Sequence, residues 1–105
     1  MSNIKFESLL PEGWARARGY AHATVASGSR VVRIAGQLAA ENGQLPVKPG
    51  LDIGAQWTIA LTNVVTLVKS AGGDVSNIVS LRVFITDMDE FHKSGAAIGE
   101  AWKNT

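Results

Sequence analysis

Apolar residues recur along this chain with two different periods, and the changes of period mark its elements. After residue 52 the spacing is helical. Trp57, Leu61, Val64, Val65 and Val68 fall at i, i+4, i+7, i+8 and i+11, one continuous stripe of a helix with 3.6 residues per turn. Thr58, Thr62, Asn63, Thr66 and Lys69 lie off that stripe. The pattern predicts a helix over 53–71. Asp52 is placed to accept the orphan N–H groups of its first turn. Gly72-Gly73 follows its last turn, and glycine takes the left-handed terminating conformation at little cost.

Elsewhere the period is two. Residues 20–26 (YAHATVA) and 31–35 (VVRIA) read as strands, the second rich in β-branched side chains. Ser27-Gly28-Ser29 between them reads as the turn of a hairpin. A short strand is expected at 4–7, inside an irregular arm that carries Pro11 and Gly13. Residues 78–85 read as a third main strand, with Val79, Leu81, Val83 and Ile85 on one face and Ser80, Arg82 and Phe84 on the other. The stretch 36–52 holds Asn42-Gly43, Pro46, Pro49 and Gly50, all turn formers, and reads as a loop. A second helix is expected over 88–103. Asp87 and Glu90 form its capping box, and Phe91, Gly95, Ile98 and Trp102 its buried stripe.

The predicted order is strand, strand, long helix, strand, helix, an α+β class in one domain over 1–105. Two helices with one apolar stripe each can cover one face of a small sheet. The other face and one edge are then left open, and open faces and edges recruit partners. The mean hydropathy of +0.09 fits a subunit that buries surface against copies of itself, and equally a merely apolar monomer.

Charge narrows the function. The net charge is +1. Arg16, Arg18, Arg30 and Arg33 are a mild cluster without the density, or the interleaved aromatics, of a phosphate-tracking surface. Nucleic acid is therefore not an expected partner. With no cysteine, thiolate chemistry and disulfides are excluded. His22 and His92 are the only histidines, far apart, so no metal site is expected. No apolar run reaches the ~20 residues that cross a bilayer, and no secretory leader is legible, so the expected location is the cytoplasm. Asp87 and Asp89 are better explained by helix capping than as paired carboxylates. Ser27, Ser29 and Thr86 have no base beside them for a nucleophilic triad.

Several short segments, in one colinear order, resemble a known family. Tyr20-Ala21-His22-Ala23 and the run VRIAGQ ending at Gly36-Gln37 resemble the opening hairpin of the Rid family, the YjgF-type reactive intermediate deaminases. Gln56 and Leu61-Thr62-Asn63 resemble its first helix, and Ala71-Gly72 the close of that helix. Ile85-Thr86-Asp87-Met88 with Phe91 resembles its next junction. The resemblance runs from about Tyr20 to Trp102. It implies a chorismate-mutase-like fold and a homotrimer with a ligand cleft between neighbouring subunits. It also implies hydrolysis of reactive enamines and imines of small amino acids to 2-oxo acids and ammonia, with no metal or organic cofactor. The resemblance also takes in members that bind small molecules without catalysis. A non-catalytic trimer that binds small carboxylates or a protein partner is the alternative reading.

Two features of the family pattern are missing. Its active members carry a carboxylate-gripping arginine and an acidic residue in a final strand, both of which would fall beyond Thr105. Many also have an asparagine where this chain has Gly95. The expectation is thus a fold lacking the C-terminal strand segment, and a poor deaminase in the chain as given.

Imine hydrolysis asks for a cation to hold a carboxylate and polar groups to orient water. Arg82 is the candidate cation, because a guanidinium fork fits both carboxylate oxygens. Phe84 shares its face. Tyr20 can stack and donate one hydrogen bond. Gly36 and Gln37 end the second strand, and a glycine there lets a ligand approach the backbone. The competing readings are an inter-subunit ion pair for Arg82, hairpin packing for Tyr20 and a simple turn for Gly36-Gln37. No residue is singled out as catalytic.

Overall fold

The computed structural model describes residues 5–16 and 23–105. They fall into two compact units, Met1–Val31 and Val32–Thr105. The first holds a two-stranded antiparallel sheet of β1 (Lys5–Leu9) and β2 (Ala23–Ser27). The register pairs Lys5 with Ser27 and Leu9 with Ala23. The second holds α1 (Ile53–Ser70), α2 (Met88–Lys93) and α3 (Gly95–Lys103). Two single 3-10 turns, Glu41–Gly43 and Val75–Asn77, punctuate the connections.

Helix α1 forms where the pattern placed it, and both its ends are built from local chemistry. The Asp52 carboxylate accepts the Ala55 N–H at 2.8 Å, and the Gln56 side chain donates to the Leu51 carbonyl at 2.8 Å. At the other end the Gly72 N–H bonds Lys69 O at 3.0 Å, and the Gly73 N–H bonds Val68 O at 3.0 Å. These two bonds are the paired closure of a Schellman motif. They need Gly72 at φ +88, a left-handed conformation that a Cβ disfavours. On the exposed side, the hydroxyls of Thr58, Thr62, Thr66 and Ser70 each donate to the carbonyl four residues earlier, at 2.8–3.0 Å. Polar residues that would otherwise compete with the helix thereby bond within it.

The core of the second unit lies around α1. Leu61 is buried at 5% exposure, with Ala39 and Ala40 beside it in burial. Trp57 is half-buried and meets Phe91 of α2, ring centroids 6.3 Å apart and tilted by 50°. The Trp57 indole N–H is buried without a hydrogen-bond partner among the described residues. Helix α3 packs against the first turn of α1 through Gly54. A methyl on Gly54 would stand 2.9 Å from the Ala97 Cβ, closer than two carbons can sit.

Three expectations are corrected. First, β2 pairs with β1, and no strand is formed at 31–35. The boundary between the two units falls inside that segment, between Val31 and Val32. Second, residues 78–85 form no ladder among the described residues. Val79, Leu81 and Val83, expected together on one strand face, are exposed, and so are Arg82 and Phe84 on the other. Alternation tells which side chains share a face, but a strand also needs a neighbour to take its backbone bonds. Third, the helix expected over 88–103 is two. Ser94 sits at φ −93, ψ 9, between α2 and Gly95, and a Ser-Gly pair is a weak point in a helix interior. Gly95 and Trp102, read as parts of a buried stripe, are exposed. Of the expected capping box only the N-cap half forms among the described residues: Asp87 Oδ1 accepts the Glu90 N–H at 3.0 Å, and no bond returns from the Glu90 side chain.

The Gly54–Ala97 approach gives a direct test. Gly54→Ala gains helix propensity but forces α3 away, and should lower the unfolding free energy by about 1–3 kcal/mol in a denaturant titration. Adding Ala97→Gly should restore most of the loss. If Gly54→Ala alone is as stable as the parent, the two helices do not pack at this point.

Candidate functional site

The segment that ends at Gly36-Gln37 continues as coil to Ala40 and is tied to α1 by one side chain. The Asn63 Nδ2 donates to the Ala40 carbonyl at 2.8 Å and to the Leu38 carbonyl at 3.4 Å. Asn63 is buried, at 8% exposure. The Ala40 carbonyl also accepts the Gly43 N–H at 2.8 Å, closing the Glu41–Gly43 turn. Both lone pairs of that oxygen are thus engaged. Asn42 and Gly43 take left-handed backbone at φ 55 and φ 72, the usual conformation of an Asn-Gly turn.

Asn63 was placed on the polar side of α1 by its position off the apolar stripe, and its burial is a correction. The stripe describes the face packed against other side chains. Asn63 lies on another face, covered by the backbone of 38–40. A surface made of carbonyls calls for a donor. The signal was an asparagine in a helix interior, flanked by Thr62 and Val64, where it is a mediocre helix former.

Upstream of this tie, Gln37 is half-buried and its side-chain amide donates to the Ala35 carbonyl at 3.3 Å. Gly36 is exposed. A methyl built on it would meet nothing within 4 Å, and its φ is not in the left-handed range. Neither a turn nor a close contact within the described residues explains a glycine here. The main chain at Gly36 is therefore open to approach on the side where a Cβ would stand.

The remaining candidates are scattered. Arg82 is exposed and makes no ion pair among the described residues. Phe84 is 84% exposed and has no ring partner among them. No hydrogen bond or ring contact joins either residue to Gly36 or Gln37. Tyr20 and His22 lie outside the described residues. Among the described residues no group of three or more His, Asp or Glu is gathered as a metal site, and no helix is long and apolar enough to cross a membrane. A groove of about 310 Å³ between α1 and α3 is lined by Leu61, Ala97, Thr58, Thr62, Glu100 and Asn104 among others. It includes none of the candidate ligand residues.

Comparison with known proteins fits this arrangement. Residues 14–105 match the model of the family described as Endoribonuclease L-PSP. A protein of Escherichia coli named "Putative reactive intermediate deaminase TdcF" is 36% identical over 73 residues, covering 65% of this chain and 54% of its own. A RutC family protein of Pasteurella multocida is 39% identical over 61 residues, covering 53% and 47%. The 2-iminobutanoate/2-iminopropanoate deaminase of Escherichia coli is 36% identical over 61 residues, covering 53% and 48%. The chain spans about half the length of these curated relatives. The family match takes in the coil at 36–40, the Asn63 tie and all three helices, and on that match the chain belongs to the Endoribonuclease L-PSP family, the YjgF/Rid family.

Proposed function

We propose that the protein hydrolyses the imines of small 2-amino acids, releasing a 2-oxo acid and ammonia, at a site that includes Gly36 and Gln37. The observation that carries this reading is the unfilled space at Gly36, in a segment tied to α1 within a chain of this family. One relative is named for 2-iminobutanoate and 2-iminopropanoate, and these are the substrates proposed. In the reaction, water adds to the carbon of the protonated imine. The C–N bond of the resulting carbinolamine then breaks as its hydroxyl loses a proton. An iminium carboxylate and water thus become a 2-oxo carboxylate and ammonium. No electron donor or acceptor takes part, so no cofactor is called for. The chain must hold the carboxylate and orient the water. Main-chain groups near Gly36 serve the first task, with the exposed guanidinium of Arg82, which makes no ion pair among the described residues, as the charged partner.

The assembly proposed is a homotrimer with the site completed between subunits. Its support is the exposure of Val79, Leu81, Val83 and Phe84, apolar side chains on a segment without a ladder partner among the described residues. A second copy can cover such a surface and take its backbone bonds. Sedimentation equilibrium at micromolar concentration should give three times the monomer mass. A stable monomer would sink the assembly, and with it any site shared between subunits.

The activity is tested by ammonia release from 2-iminobutanoate generated in situ, against the spontaneous rate. Accelerated release is expected. Binding of 2-oxobutanoate without acceleration would favour the alternative, a carboxylate-binding protein without turnover. The site is tested by two variants. Gly36→Val should leave stability within about 0.5 kcal/mol, since nothing stands near its Cβ, and should abolish most 2-oxobutanoate binding in calorimetry. Arg82→Ala should also leave stability unchanged while weakening binding by about 1–3 kcal/mol. Unaltered affinity in both would place the ligand elsewhere.

A further inference from the structure

The best-defined polar contact between distant parts of the second unit belongs to a residue that touches no proposed ligand group. Asn63 reaches 23 and 25 positions back along the chain to Ala40 and Leu38. It receives no help there from other side chains, because no further side-chain hydrogen bond ends on 38–40 among the described residues. We infer that Asn63 is a positioning residue. Its amide sets the path of 36–40, and so fixes where Gly36 and Gln37 present themselves to the carboxylate. The inference rests on the proposed reading of Gly36 and Gln37 as ligand residues.

Three observations favour positioning over simple packing. The side chain is a double donor spent on backbone carbonyls, and those carbonyls belong to the segment, not to another helix. The two acceptors are two residues apart, and one amide that donates to both clamps the bend at Ala39 between them. Leu38, the end of the tie nearest the ligand residues, is 63% exposed, so its side chain adds little packing to anchor the segment. The hydrogen bonds therefore have to fix what apolar contact does not. Small displacements matter in such a site, since a misplacement of about 1 Å is enough to cost up to about a hundredfold in rate.

The test separates shape from hydrogen bonding. Asn63→Leu keeps the branched shape and raises the helix propensity but donates nothing. Asn63→Ala removes the branched shape and the donor together. Each variant is first checked for native helix content by circular dichroism. Binding of 2-oxobutanoate is then measured by calorimetry, and exchange of the Gly43 and Gln44 amides by NMR. These two amides bond Ala40 O and Glu41 O, so they report on the turn that Asn63 shares. In folded Asn63→Leu, binding should weaken by about tenfold or more, with faster exchange at Gly43 while amides in α1 keep their protection. Affinity within about twofold of wild type, in either variant that folds, would overturn the positioning role and leave the ligand site standing. If neither variant folds, Asn63 is a fold-determining residue and the inference is wrong. If the wild-type protein itself fails to bind 2-oxobutanoate, the reading of the site falls, and the positioning role falls with it.

Discussion

One buried amide decides how the helical unit is organised. Without the Asn63 bonds to Leu38 and Ala40, the coil after residue 35 would have only two buried alanines to keep it on α1. Alanine side chains bury little area, and their burial is worth only about 1 kcal/mol each. A hydrogen bond in that setting adds a comparable amount and has direction as well. It also answers the need of the carbonyls, which would be costly to bury unpaired. Apolar burial makes the contact favourable, and the amide makes it specific.

Around that contact α1 acts as the common support. One of its faces receives backbone, through Asn63. Another receives α3, through the close approach of Gly54 and Ala97. A third meets α2, through Trp57 and Phe91. The hydroxyl row from Thr58 to Ser70 keeps the remaining side polar without drawing bonds away from the helix. The caps at Asp52 and Gly72 fix where the support begins and ends. The proposed chemistry is hung from this helix, although none of the proposed ligand residues lies on it.

How well each part could be read in the sequence follows the range of the interactions involved. Helix α1, its Asp52 cap, its Gly72 stop and the Asp87 cap rest on contacts within a few residues, and the pattern located them to within a residue. The turn at Asn42-Gly43 is local too. The strands at 31–35 and 78–85 were misread because their alternation carries no information about which neighbour completes a ladder. The break at Ser94 lay hidden under a plausible helical period, since Phe91 and Ile98 keep the spacing on either side of it. Asn63 was misjudged because a helical stripe counts apolar partners only. The family resemblance was legible in short motifs, and those motifs included the Leu61-Thr62-Asn63 run without revealing what Asn63 holds. Of the candidate site, Gly36 and Gln37 lie in the coil that leads into the Asn63 tie. Arg82 and Phe84 stand exposed with no contact to them, and Tyr20 lies outside the described residues.

A site for a small 2-oxo carboxylate at Gly36-Gln37, supported by the Asn63 tie, is the central claim. Titration of isotope-labelled protein with 2-oxobutanoate, followed by backbone amide NMR, tests it most directly. The account predicts saturable shifts largest at Gly36, Gln37 and Leu38, with smaller ones at Ala40 and Gly43, and an Arg82 guanidinium resonance that moves with the same affinity. Shifts confined to the groove between α1 and α3, or no saturable shift at 36–38 while ligand binds, would contradict it.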